Sequence, residues 1–391
     1  MNIDSRLHHL KENEVLELMS RYYNNEKTTE LIKEYNLNIT PGVLYTIFPP
    51  EKFDDIICPV CHLPMLRKRA ARTSYRYNNN KIYCENCGHV EGGSCRCSHC
   101  IEVARIEKKR IQEEQERINY EKRCLINEVY DLNKKEKIGL EKLSFRSRVY
   151  LGALIRAGIT EDMMSVIPIL EMDRNVSPRV GYTHEMIRNL IKNQVIVVSP
   201  NSSLAAFPDS DEETEFPYLY YTLKVKYALN IEFQEDYTEN VANIMNPDEL
   251  SKEDSEEAAK IWREVALEEC LEYFEFQMKE VNFNAAIGEK TIATFKDLLE
   301  KFSVSQIYGI IYRSVANATR YYQQGGVSKK QASNSVIGNC QRYAERAVIE
   351  NWELKKFARP YVIPQSVLSE FLFNRVLKIG ELGFNMTPTE L

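Results

Sequence analysis

Seven of the ten cysteines in this 391-residue chain lie between residues 58 and 100, in the stretches CPVCHLPM and CENCGHVEGGSCRCSHC. Cys58 and Cys61 form one Cys-x2-Cys pair, and Cys84 and Cys87 form another after a gap of twenty-two residues. A two-residue spacer lets the chain turn back so that both thiolates reach one ion, at about 2.3 Å for zinc. Two such pairs complete a tetrahedron, so the spacing predicts a structural zinc site.

The segment 58–87 resembles a zinc ribbon, a module found in many nucleic-acid-handling proteins. Between the two cysteine pairs, the stretch TSYRYNNNKIY is predicted to form a hairpin with an asparagine-rich tip. The chain start, MNIDSRLHHLKENEV, lacks the apolar region of a secretory signal, which favours a cytoplasmic location. In a reducing compartment close cysteine pairs indicate metal rather than disulfides. The alternative, four reduced core cysteines, requires the pair spacing to occur twice by chance.

A second metal site is suggested by the remaining cysteines of this region. Its ligands would be three thiols and one of two histidines: Cys95, Cys97, Cys100 and either His89 or His99. In an alternative assignment of the ligands, Cys84 and Cys87 share one metal ion with Cys97 and Cys100. Cys58 and Cys61 are then left to the remaining ligands. We therefore predict one Zn²⁺ from the sequence and leave a second open.

The same region carries an excess of positive charge. From Arg67 to Arg110 there are eleven Lys and Arg against four Glu, in a chain whose net charge is −6. Zinc-bound thiolates would offset part of this excess. Cations interleaved with aromatic rings suit contacts with phosphates and bases. The predicted nucleic-acid contacts are Arg67, Lys68, Arg69, Arg72, Arg76, Lys81, Tyr75 and Tyr77. The alternative is a solvated surface whose tyrosines pack on the hairpin.

A second polar stretch begins a predicted helix in the C-terminal part of the chain. Positive charge in the first turn of a helix opposes the helix dipole. Lysines at this position therefore suggest a role other than stabilising the helix. Lysine can contact phosphate or guanine, and Gln and Asn can pair with adenine. The residues in question are Lys329, Lys330, Gln331 and Asn334. The alternative is an ordinary solvated helix start.

Motifs typical of enzymes are missing from the sequence. It contains no phosphate-binding glycine loop, no G-x-S-x-G elbow, and neither H-E-x-x-H nor a zinc-deaminase signature. Catalytic zinc needs an open coordination position beside a general base, and nothing in the sequence indicates one. We therefore predict that the protein is not an enzyme, although carboxylates from distant segments could still meet in space.

Hydrophobic periodicity predicts a mainly α fold with small β elements. Short helices at the start have a helix-turn-helix-like order, and helices followed by a strand pair at 140–231 resemble a winged helix. The predicted organisation is a helix-turn-helix-like unit at 1–52, a zinc ribbon with extra cysteines at 53–100, a long charged helix at 101–138, a winged-helix-like domain at 139–234, an acidic linker at 235–258 and a helical bundle at 259–391.

These patterns together predict a zinc-stabilised, non-enzymatic nucleic-acid-binding protein. DNA is expected as the partner ahead of RNA, although the sequence does not decide between them, and a role as a regulator is one possibility. The runner-up is a protein-interaction adaptor in which the ribbon is only structural, and a weaker alternative is a nuclease or toxin-like component. The C-terminal bundle is expected to hold a protein partner or to form a homodimer. No run of 18 apolar residues exists, so a membrane partner is not expected.

Overall fold

A computed structural model describes residues 3–73, 81–92, 95–209, 215–233, 237–247 and 250–388. It is mainly helical with small sheets, which confirms the predicted fold class. The chain divides into two compact units, Met1–Ile118 and Asn119–Leu391, which we call the first and the second unit. No α-helix in these described ranges has both the length and the apolar composition needed to cross a membrane.

The first unit begins with two short α-helices, α1 at Glu12–Tyr23 and α2 at Thr28–Glu34. Val15, Leu18 and Leu31 are buried in a small core of their own. The third helix that the pattern predicted is a 3-10 helix, Pro41–Ile47. Proline suits the first helical position, and two further prolines at 49 and 50 stop the segment before a full α-helix develops. The helix-turn-helix assignment remains a prediction.

The ribbon follows as strand β1, Glu51–Ile57, paired antiparallel with β2, Pro64–Arg67. Beyond β2 the chain returns, and isolated bridges join Leu66 to Tyr83 and Tyr83 to Val90. Residues 74–80 of the predicted hairpin lie outside the described residues. The buried centre of the ribbon consists of Cys58, Met65 and Cys84. So small a core needs another source of stability.

Helix α3 spans Ser98–Val129, and the division between the units falls inside it. It covers most of the segment 101–138 that was predicted as a long charged helix and ends before residue 138. All residues from Ile101 to Arg117 are exposed. Arg110 pairs with Glu107 and Arg117 pairs with Glu114, one turn apart, at 2.7 Å each. Such pairs support a helix that has little tertiary packing.

The second unit contains most of the helices. Its α-helices are α4 (Phe145–Gly158), α5 (Val180–Lys192), α6 (Tyr237–Met245), α7 (Lys252–Glu280), α8 (Glu289–Leu299), α9 (Val304–Gln323), α10 (Lys329–Ile349), α11 (Val367–Phe371) and α12 (Leu382–Asn385). A π-helix, Leu372–Val376, continues α11. Its strands are β3 (Ile138–Gly139), β4 (Ser165–Val166), β5 (Ile196–Val198), β6 (Tyr227–Leu229) and β7 (Ile231–Glu232).

These strands form two small sheets. Strands β4 and β5 pair antiparallel with β6 on either side, and β3 pairs parallel with β7. The second strand of the pair predicted within 140–231 is short and begins only at Tyr227, because turns occupy most of residues 216–226. The helices α4 and α5 and the β5–β6 pair lie where they were predicted, while the winged-helix assignment remains a prediction.

The predicted boundaries at residues 235 and 258 do not separate two cores. One hydrophobic core runs through the second unit and includes residues of both predicted domains. Helix α4 packs against α7 and α11, and the Gly152 position, where a side chain would clash with Phe371, permits this approach. The predicted acidic linker contains α6, whose Val241 is buried. Helix α6 packs its apolar face into the core although the segments on either side of it are acidic, so this part of the chain belongs to the core.

Candidate metal centres and cationic surface

The first cluster contains Cys58, Cys61, Cys84 and Cys87, whose sulfur atoms all lie within 4.8 Å of one another. Sγ of Cys61 is 3.2 Å from Sγ of Cys84, and Sγ of Cys58 is 3.5 Å from Sγ of Cys87. Tetrahedral zinc with bonds of about 2.3 Å separates its sulfur ligands by about 3.8 Å. The cluster could therefore hold one metal ion, and its donor set is compatible with zinc.

Two tight turns position these thiols. In the first, the Cys58 amide donates to the Leu63 carbonyl at 2.8 Å, and the Val60 amide points at Sγ of Cys58 at 3.4 Å. In the second, the Gly88 amide donates to the Cys84 carbonyl at 3.0 Å, and Gly88 has a φ of 68°. Glycine adopts this left-handed conformation at little cost, which explains its position directly after Cys87.

The thiols of the first cluster titrate unequally. The hydrogen bond with Cys84 lowers the pKa of Cys61 to about 6. The His89 amide lowers the pKa of Cys87, but burial and the neighbouring thiols outweigh it and raise this pKa to about 12. The Cys61 thiol therefore loses its proton readily, whereas the Cys87 thiol keeps its proton. A divalent cation, which favours thiolates, would displace the remaining protons.

The second cluster contains His89, Cys95, Cys97 and Cys100, again with ligand atoms within 4.8 Å. Nδ1 of His89 is 3.4 Å from the sulfur of Cys95, 3.8 Å from that of Cys97 and 3.3 Å from that of Cys100. This grouping selects His89 over His99 and excludes the partition that joined Cys84 and Cys87 to Cys97 and Cys100. The second cluster could also hold one metal ion.

Both clusters draw on one short segment, Cys84–His89. The Cys84 amide donates to the His89 carbonyl at 2.7 Å, which closes the turn around the first cluster and orients the histidine of the second. The next amide, of Val90, points at Sγ of Cys95 at 3.2 Å. Each cluster has four protein ligands, so a tetrahedral ion in either would have no open position.

Two of the predicted phosphate-binding arginines make contacts within the first unit instead. Arg67 pairs with Glu51 at 2.6 Å. The guanidinium of Arg72 donates to the carbonyl oxygens of Tyr22, at 3.0 Å, and Glu26, at 2.5 Å. These carbonyls lie at the end of α1 and just after it, where backbone acceptors lack helical partners. Arg72 therefore attaches the N-terminal helices to the ribbon.

Lys68 and Arg69 continue from β2 and line a cleft of about 470 Å³ in the first unit. Tyr45 and Tyr83 lie on the same cleft. The Arg69 Nε donates to the Pro49 carbonyl at 3.3 Å, and within the described ranges no carboxylate pairs with this arginine. Sequence reasoning missed Tyr45, because its apolar surroundings in VLYTIF predict only a core helix.

The other predicted contacts are more scattered. Lys81 is exposed two residues before the bridge at Tyr83, whereas Tyr75, Arg76 and Tyr77 lie outside the described residues. Lys329, Lys330 and Asn334 are exposed at the start of α10 in the second unit. The Gln331 side chain accepts from the Ser328 amide at 2.9 Å in a capping box, which accounts for a glutamine at this position.

The chain was compared with models of protein families, with curated proteins and with solved structures. None of the three comparisons finds a match.

Proposed function

We propose that the first unit is a zinc-stabilised module that binds nucleic acid through its cationic surface. The observation that supports the proposal is the pair Lys68 and Arg69, which directly follows strand β2 and lines a cleft with two tyrosines. Phosphate contacts supply most non-specific affinity for nucleic acids, and cations on a rigid support lose little entropy when they bind.

The exposed cations of this surface form a smaller set than the charge count suggests, since Arg67 and Arg72 are engaged within the protein. Lys68 and Lys81 are both exposed on this surface. Arg96, between two ligands of the second cluster, is exposed as well.

Zinc is the metal we propose for both clusters, because thiolate and imidazole ligands in a closed tetrahedron are typical of structural zinc. When bound, the ions would hold together the short strands around Cys58, Met65 and Cys84, which bury little apolar surface themselves. We propose binding rather than catalysis, since four protein ligands leave no position for a metal-bound water. DNA, ahead of RNA, also stays the proposed partner.

Salt-dependent binding tests this function. With fluorescein-labelled DNA and RNA, we expect anisotropy to report binding whose affinity falls steeply as salt concentration rises. The double variant Lys68→Ala/Arg69→Ala should bind more weakly and reduce the slope of log K against log salt by about 1 to 2, because each lost phosphate contact removes about one released counterion.

The control removes the same charge elsewhere in the first unit. Lys27→Ala/Lys33→Ala changes two exposed lysines of the N-terminal helices and should bind as the wild type does. Zinc content, measured by elemental analysis, should be equal in all three proteins. Absence of binding at low salt, or equal salt slopes for both double variants, would overturn the proposal.

Protein binding by the second unit is a second candidate. The observation that favours it is the exposure of Tyr361 and Val362, at 99% and 72%. Large apolar side chains exposed to this degree are common at interaction sites. An adaptor role and a homodimer through the C-terminal helices therefore remain compatible with nucleic-acid binding by the first unit.

A further inference from the structure

The cleft beside Lys68 and Arg69 has the dimensions of a binding site rather than of a packing defect. Its volume of about 470 Å³ lies within the roughly 300–1,000 Å³ usual for small-ligand pockets. One wall comes from the 3-10 helix Pro41–Ile47, and another comes from the chain after β2 and from Tyr83. All of these residues belong to the first unit.

Two tyrosines line this cleft. Tyr45 and Tyr83 are both half-buried, and in the described part of the chain neither hydroxyl has a hydrogen-bond partner and neither ring has an aromatic neighbour. By contrast, Tyr23 of the same unit donates to the Ala70 carbonyl at 2.8 Å. Tyr45 packs against the core of the N-terminal helices, and both tyrosines contribute to the lining of the cleft. Aromatic rings in such a lining can contact an apolar or aromatic ligand, and their hydroxyls can bind a polar group.

The charge on the walls suits a phosphate group. Lys68 and Arg69 are cationic, and the one carboxylate in the lining is Asp4. Asp4 forms an ion pair with Arg6 at 2.8 Å, and this hydrogen bond holds the pKa of Asp4 down at about 2. The charge of Asp4 is therefore balanced by a neighbour, and Lys68 and Arg69 place two cationic side chains on the walls of the cleft.

We propose that this cleft accepts one unpaired nucleotide of a single-stranded nucleic acid, with the base against Tyr45 or Tyr83 and the phosphate toward Lys68 and Arg69. The inference rests on the proposed function and adds the form of nucleic acid that is recognised. A base within a duplex is already stacked on both faces and cannot reach half-buried rings, whereas an unpaired base can stack on them.

The test uses the full-length, zinc-loaded protein with labelled oligothymidylate, oligouridylate and a DNA duplex of equal length. We expect both single strands to bind more tightly than the duplex. Tyr45→Ala should weaken single-strand binding about tenfold, the usual effect of losing one stacked base, and leave duplex binding unchanged. Tyr45→Phe keeps the ring and should bind nearly as the wild type does. Lys68→Ala/Arg69→Ala should weaken binding to single strands and duplex alike.

These outcomes separate the two proposals. If none of the probes binds, the proposed function fails and this inference fails with it. If the probes bind but the duplex binds as tightly as the single strands, or Tyr45→Ala weakens both equally, only the nucleotide site is overturned.

Photocrosslinking keeps the test valid if Tyr45→Ala folds poorly. Wild-type protein bound to bromouracil-containing single strands should yield crosslinked peptides that contain Tyr45 or Tyr83. Crosslinks found only elsewhere would overturn the site, whatever the variant does.

Discussion

The environment of Glu272 strongly changes the pKa of its carboxyl group. Glu272 lies on α7, partly buried, and among the described residues it makes no hydrogen bond or ion pair. Its neighbours Glu269 and Glu275 are paired with Arg359 at 2.8 Å and Arg179 at 3.1 Å. Burial, and then the charge of Glu269, raise the pKa of Glu272 to about 8 from its ordinary 4.5.

This shift predicts a dependence of stability on pH. Between about pH 4.5 and 8 the folded protein keeps the Glu272 proton that the unfolded chain has lost, so the free energy of unfolding should fall as pH rises through this window. Glu272→Gln stays neutral. It should be more stable than the wild type above pH 8, on the order of 1–3 kcal/mol after allowance for partial solvation, and nearly equal to it at pH 5.

Urea denaturation at several pH values measures this difference. Glu256→Gln, an exposed position on the same helix, is the matched control and should follow the wild type. Parallel curves for wild type and Glu272→Gln across the window would contradict the prediction.

At the scale of elements, the turn Cys84–His89 connects the two metal clusters. Its closing hydrogen bond, from the Cys84 amide to the His89 carbonyl at 2.7 Å, joins a ligand of one cluster to a ligand of the other. An ion in either cluster would therefore reduce the freedom of a residue that the other needs. Coupling of this kind is reciprocal by thermodynamic necessity.

We therefore expect cooperative zinc binding. Wild-type protein should bind two zinc ions, and Cys58→Ser/Cys61→Ser or Cys95→Ser/Cys100→Ser should each bind one. The remaining site in either variant should bind about tenfold more weakly than in the wild type, because its partner no longer orders the shared turn. Competition with a chromogenic chelator measures both affinities. A remaining site of unchanged affinity in both variants would show that the clusters are independent.

At the scale of the whole molecule, the two units differ in what can stabilise them. The second unit has a continuous core, with side chains as large as Trp262 and Phe373 buried. The ribbon of the first unit has only Cys58, Met65, Cys84 and a few partly buried neighbours. A core of this size contributes too little to offset the chain entropy, so we expect metal ions in the two clusters to contribute much of the stability of the ribbon.

Metal removal should therefore act on one region of the chain. With a strong chelator, we expect hydrogen exchange measured by mass spectrometry to show a loss of protection at 51–67, 81–92 and 95–100. Protection in α4 and α7 should persist, because their burial does not involve the clusters. Added zinc should restore the protection. Equal loss in both units, or none in either, would contradict this assignment.

Local spacing was sufficient to predict the first metal cluster, because each Cys-x2-Cys pair closes within a few residues. It also predicted the long charged helix α3 and the approximate positions of α4 and α5, where the apolar period is clear. The domain boundaries were less predictable. Whether two segments share a core depends on contacts between distant residues, such as Arg146 with Glu264 at 2.6 Å.

By itself the sequence determined that seven thiols and a histidine stand close enough along the chain to hold metal, since the constraint is local loop closure. Only the tertiary structure decided how those ligands divide, and it selected His89 over His99. It also decided which arginines are available, because Arg72 finds its acceptors 46 and 50 residues away. The amino-acid composition gives the number of charged residues but not the partner of each charged side chain. Those partners depend on which distant segments of the chain the fold brings together.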